Sequence, residues 1–194
     1  MQFCEVLAKR RTIRFFQQKK VEKEKIISLL NAARFSSCAM NKQILRYAAV
    51  TEKNMLKRIF DGTAWAAKVQ PRRTPVWGKT APDCFIVVHG ECEKNAPFVK
   101  FDVGAAVMSM EFQAQDLGLG CCWLGSFDRQ DVHELLKLGD DRYIYAVVAV
   151  GYPAEEPASE DIELADDQSY YINDNGVLTV PKYTVEALTE FYEG

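Results

Sequence analysis

Between Phe101 and Phe127 the chain reads FDVGAAVMSMEFQAQDLGLGCCWLGSF. Val103, Ala106, Val107, Met110, Ala114 and Leu117 recur at the three- and four-residue spacing of one helix face. Ala105, Met108 and Phe112 make a second side apolar, so this helix is predicted to be buried on two sides. Asp102 suits its start, where exposed N–H groups need an acceptor, and Gly118 suits its end, where the backbone turns left-handed. Gly104 costs about 1 kcal/mol relative to Ala inside a helix, which suggests that something packs close to the backbone there. The Gly118-Leu119-Gly120-Cys121-Cys122-Trp123-Leu124-Gly125 run is too apolar for a surface turn. It reads as backbone approaching a flat ligand or another chain.

The same patterning sets out the rest of the chain. Phe3, Val6 and Leu7 predict a short helix running into Arg10, Arg11 and Arg14, and residues 22–34 a second with Ile26, Leu29, Leu30 and Ala33 inward. Residues 35–43 show no period and read as a loop of small and amide side chains. Residues 44–50 predict a strand, and Thr51 caps a helix carrying Met55, Leu56, Ile59 and Phe60. Residues 61–82, with Trp65, Trp77, Arg72, Arg73 and three prolines, form a long irregular segment of the kind that serves as a lid. Apolar runs at 84–89 and 143–150 predict buried strands, with a helix over 129–138 between them. Residues 155–167 are acidic and read as solvated. Asn175-Gly176 marks a turn into a strand over 177–180 ended by Pro181, and Thr184 starts a last helix bearing Val185, Leu188, Phe191 and Tyr192. This order is α+β.

Length predicts a single domain over residues 1–194, with 154–194 as a C-terminal arm. A net charge of −3 and an ordinary apolar fraction argue against disorder and against a general nucleic-acid surface. No stretch is apolar for the length that a membrane span needs, and the N-terminus has no signal-peptide pattern; a cytoplasmic location without membrane association is expected. The six cysteines form no C-x-x-C pair, so no metal site is expected, and Cys4, Cys84 and Cys122 read as buried reduced thiols.

Gly118-x-Gly120 lacks the third glycine of a dinucleotide fingerprint, since position 123 is Trp. A flavin mononucleotide suits the residues better. Its phosphate needs cations, its ring an apolar slot, and its ring edge backbone donors. Arg10, Arg11 and Thr12 can hold the phosphate, and Arg14 can face the ring's pyrimidine edge. Trp123, Leu124, Gly125 and Ser126 would supply the wall and donors, and Cys38, Asn41 and Gln43 would touch a polar heterocycle.

Several motifs together resemble the nitroreductase family of FMN-dependent oxidoreductases. Arg10-Arg11-Thr12-Ile13-Arg14-Phe15-Phe16 resembles its R-R-S-I-R-x-F opening, and Asn41-Lys42-Gln43 its N-x-Q element. Asp102-x-Gly104-x-Ala106 leading to Gly118–Gly125 resembles its central helix and the turn after it. Val148–Pro153 and Val180-Pro181-Lys182 match the tail of its shorter bacterial members. The resemblance implies a central mixed or antiparallel sheet flanked by helices, in an intertwined homodimer with two FMN sites at the interface. Arg10, Arg11, Thr12, Arg14 and Lys182 would bind FMN from one chain with Gly125 and Ser126 at the ring, and Cys38, Ala39 and Asn41 would reach it from the other. NADH or NADPH would donate hydride to flavin N5, and a nitroaromatic, quinone or similar small acceptor would take it in a ping-pong cycle without a catalytic side chain. A reductive dehalogenase or specialised flavin reductase, with Arg72 and Arg73 closing on an anion, is the alternative within the fold. A flavin-binding or interaction module without turnover is the alternative outside enzymology. Departures are Ser36-Ser37-Cys38 in the loop, Met40 where a glycine is usual, Ile44 for a proline, and Tyr183 for an arginine that would add a phosphate cation.

Overall fold

A computed structural model describes residues 2–92 and 96–192; the last two residues of the C-terminal arm lie outside it. Strands β1 (Arg46–Val50), β2 (Cys84–Glu91), β3 (Gly120–Leu124) and β4 (Arg142–Gly151) make one antiparallel sheet in the order β1-β2-β4-β3. Helices α1 (Phe3–Lys9), α2 (Lys23–Phe35), α3 (Lys53–Asp61), α4 (Val99–Asp116) and α5 (Arg129–Leu135) surround it, and α6 (Val185–Leu188) lies near the C-terminus. Three further strands, β5 (Ala158–Ile162), β6 (Tyr171–Ile172) and β7 (Leu178–Tyr183), form a small sheet in the order β5-β7-β6. The α+β class predicted from the sequence is what is found.

Continuous apolar runs in β2 and β4 follow from burial of both sheet faces. Ile86, Val88, Ala146, Val148 and Val150 pack with α2 and α4, whereas Phe85, Val87, Val147 and Ala149 pack with Leu56, Ile59, Trp65 and Val132 on the opposite side. Alternate residues of one strand therefore serve two cores.

The long helix departs from expectation at its start. It begins at Val99, so Asp102 lies within its first turn and is not its cap. The Asp102 carboxylate, 5% exposed, instead accepts the Ala39 N–H at 2.8 Å, tying the 35–43 loop to α4. Gly118 has φ +72°, as a helix end with a left-handed turn requires. The second apolar side is covered only in part: Phe112 packs edge-on against Phe3 of α1 and, like Ala105, is half-buried, whereas Met108 is 36% exposed, and a Cβ built on Gly104 would meet nothing within 4 Å.

Other corrections are local. The α3 cap is Glu52, whose carboxylate accepts the Asn54 and Met55 N–H groups, and not Thr51. The helix at 129 stops at Leu135. The acidic stretch contains β5, and β7 continues through Pro181; β6 reaches only Leu178 and Thr179, leaving one side of β7 open where a missing N–H is tolerated. The last helix is a single turn capped by Thr184, and it leaves Phe191 and Tyr192 exposed. Among the described residues no helix is long and apolar enough to cross a membrane.

Candidate functional site

The segment from Arg10 to Phe16 lies along the free edge of β3. Thr12 bridges Cys121 in parallel, the Ile13 N–H donates to the Cys121 carbonyl at 2.9 Å, and the Phe16 N–H donates to Thr80 at 3.0 Å. Ile13 and Phe16 are the buried anchors of a segment whose cations Arg10, Arg11 and Arg14 stay partly exposed. Two glycines make room for them. A Cβ on Gly120 would sit 2.5 Å from Ile13 Cγ1, and one on Gly151 2.8 Å from Phe16 Cδ1. The closeness at Gly120 thus serves an apolar side chain of the same chain, where a ligand or a second chain was expected.

Arg10, Arg11, Thr12, Arg14 and Lys182 line one cavity of about 170 Å³, completed by Tyr170 and Val180. Strand alternation explains Val180 and Lys182 facing it together. Tyr183 lies on the other side of β7, where its hydroxyl donates to Gln168 at 3.0 Å. An arginine at 183 would therefore not add a cation to this cavity. Within the cluster, Arg10 pairs with Glu111 at 3.2 Å, and Arg11 donates to the Arg10 carbonyl at 2.6 Å and to the Ser159 hydroxyl. The buried Nε of Arg11 finds no partner among the described residues. Burial, and then the neighbouring Arg10 charge, lower the Arg11 pKa from its ordinary value. Burial raises that of Glu111, against the pull of Arg10. Tyr170, whose ring lies 5.5 Å from the Arg14 guanidinium, was not indicated by any motif or period in the sequence.

The remaining predicted residues are placed elsewhere. Cys38, Asn41 and Gln43 line a second cavity of about 140 Å³ with Asp102 and Tyr47. Ala39 sits beside it through its N–H bond to Asp102. The loop there is strained, with φ of 52° at Met40, 53° at Asn41 and 47° at Gln43. Gly125 borders a third, open cavity of about 630 Å³ with Trp123, Arg129 and Tyr143. Ser126 is exposed beside it, and its carbonyl accepts the Ala64 N–H at 3.0 Å. The Leu124 side chain points into the core, so it does not form a wall of that cavity. A single chain thus divides the candidate residues among three places.

The 61–82 segment is fastened to the C-terminal arm. Arg73 donates to Glu155 Oε2 at 2.9 Å and to the Gly176 carbonyl at 2.8 Å, with the two side chains of the ion pair 11% and 5% exposed. Lys68 Nζ reaches the Ser169 hydroxyl at 2.7 Å. Arg73 is therefore committed within the chain and not presented to an acceptor. Glu155, expected to be solvated, is buried.

All six cysteines are free. Cys84, Cys121 and Cys122 are buried, and burial pushes the Cys84 and Cys122 thiols up to about 12, so thiolate chemistry is suppressed. Cys4 is exposed, contrary to expectation. No group of three potential metal ligands occurs among the described residues.

An antiparallel sheet between helical layers, with a cavity lined by cations along one edge, defines an α+β protein. The sequence profile of the Nitroreductase family matches residues 7–152, and the chain belongs to that family. A protein of Methanothermobacter thermautotrophicus, provisionally named NADH dehydrogenase/NAD(P)H nitroreductase, is 28% identical over 167 residues, covering 84% of this chain and 83% of its own. Among solved structures, a protein of Desulfovibrio desulfuricans provisionally named a nitroreductase, in complex with FMN, shares the fold at a TM-score of 0.67 and 23% identity, with 85% of this chain and 94% of that one covered. Iodotyrosine deiodinase bound to FMN and 3-iodo-L-tyrosine shares it at 0.65 and 21%, covering 86% and 100%.

Proposed function

We propose that this chain is an FMN-dependent oxidoreductase that takes hydride from NADH or NADPH and delivers it to a small acceptor such as a nitroaromatic or a quinone. The observation that carries the reading is the cavity of Arg10, Arg11, Thr12, Arg14 and Lys182. Four cations and a hydroxyl around a space of about 170 Å³ suit a phosphate group, with arginine forks matched to its oxygens. The unpartnered Arg11 Nε and the lowered pKa of that guanidinium describe a site that gains from a bound anion. The residues therefore fit the cofactor at its phosphate end.

Gly125 and Ser126 would face the ring from the same chain, and Cys38, Ala39, Asn41 and Gln43 would complete the slot from a second copy. Division of these residues among separate cavities supports a homodimer as the working unit. FMN, when bound, supplies the hydride-accepting and hydride-donating chemistry; the protein binds, orients and shields it. Free thiols throughout the chain accord with a cytoplasmic setting.

The test is the visible absorption spectrum of the purified protein, repeated after anaerobic addition of NADH and then NADPH. A flavin band that bleaches with either nicotinamide is the expected result. Absence of a band after incubation with FMN would overturn the reading, and a band that neither nicotinamide bleaches would leave a flavin-binding module without this electron donor.

A further inference from the structure

Glu155 and Arg73 lie outside the residues assigned to the cofactor, yet the backbone that carries the cations hangs on them. Glu155 Oε1 accepts the N–H groups of Arg14 and Phe15 at 2.5 and 2.9 Å. Its other oxygen accepts from Arg73. Arg73 arrives from the 61–82 segment, spans to the Gly176 carbonyl, and lies 5.2 Å over the Phe15 ring. The same segment touches the cavity wall directly where the Lys68 N–H donates to the Tyr170 hydroxyl at 3.4 Å. One carboxylate therefore fixes the main chain at Arg14, and one guanidinium from a distant segment fixes that carboxylate.

We propose that Glu155 and Arg73 are positioning residues for the phosphate-binding cluster, and that the 61–82 segment acts on the cofactor's phosphate end and not on the electron acceptor. The pair neutralises itself, so it aims the neighbouring cations without cancelling them. Were Glu155 left without Arg73, a buried carboxylate would compete with the phosphate for Arg14. Were Arg73 left without Glu155, two main-chain N–H groups would lose their acceptor and the cluster its register. The inference rests on the proposed FMN site.

Titration of the cofactor-stripped full-length chain with FMN and with riboflavin separates the two. Riboflavin has the same ring without the phosphate. Arg73→Lys keeps the charge but cannot span Glu155 and Gly176 together, and Glu155→Gln keeps an acceptor for the N–H groups but not the ion pair. Each should weaken FMN by about tenfold or more while the riboflavin Kd stays put. Parallel loss of both ligands, or loss of neither, would overturn the proposal. A wild-type chain that binds FMN no better than riboflavin would instead show that the cationic cavity does not read the phosphate, and the proposed site would fall first, taking this inference with it.

Discussion

Met40 is one of the non-glycine residues held at a positive φ, where its side chain fits the backbone poorly. At φ 52° an L side chain crowds its own carbonyl, and Met40, 74% exposed, has no packing to offset that. The loop holds the conformation because Asp102 takes the Ala39 N–H and Gln43 bonds the Asn41 amide oxygen at 3.1 Å. Met40→Gly should therefore stabilise the fold by up to about 1 kcal/mol, the strain relieved exceeding the extra freedom that glycine gives the unfolded chain. Denaturant unfolding at constant m-value measures it. Glu111 makes a prediction about pH. Burial raises its folded pKa above the ordinary value near 4.5, with Arg10 opposing. The native state then holds that proton to higher pH than the unfolded chain does, and ionisation takes away stability as pH rises from the ordinary value through the raised one. Glu111→Gln should match wild type below that window and be the more stable above it. Unfolding free energies of both proteins across about pH 4 to 8 test the sign.

Between elements, the contact that orders the site is the packing of the Arg10–Phe16 segment against β3 and β4. Gly120→Ala puts a methyl group 2.5 Å from Ile13 Cγ1 and 2.7 Å from its Cβ, too close to the main chain for a rotamer change to relieve. The expected cost is about 1–3 kcal/mol, partly recovered in the Gly120→Ala/Ile13→Ala pair, as a double-mutant cycle in chemical denaturation would show. How much of this the sequence displays depends on whether the cause is local. The α4 period, the apolar runs of β2 and β4, and the cations held by Ile13 and Phe16 are local, and they are legible. β3 is not, because a run of glycines and cysteines becomes a strand only through its pairing with β4. β5 is hidden by acidic composition and exists through its parallel pairing with β7. Glu155 is buried because Arg73, far away in the chain, meets it, and Tyr170 joins the cations by the same kind of distant packing. No spacing rule could report either.

For the molecule as a whole, the exposed part of α4 and the division of the candidate residues among three cavities both bear on the proposed homodimer. Phe101, beside Phe98, and Met108, two turns further along, stand exposed on a helix whose Gly104 leaves open space, an apolar surface of the kind that a partner covers. A two-fold axis there would set α4 against its copy, since one patch must then meet itself. In the proposed homodimer the same closure brings the 35–43 loop of one copy to the ring end of the other's cofactor. The proposed phosphate grip, by contrast, lies within one chain. Phe101→Glu combined with Met108→Glu places like charges across such an axis, and the variant should sediment as the 22.0 kDa chain where wild type sediments as twice that mass. Its far-UV circular dichroism should be unchanged, since both side chains lie outside the two cores. With the phosphate end intact and the ring end incomplete, its FMN affinity should fall by roughly a hundredfold, and riboflavin, which relies on the ring end alone, should be lost altogether. A monomeric variant that kept both ligands at wild-type affinity would show that one chain holds the whole site, and the division among three cavities would then need another explanation.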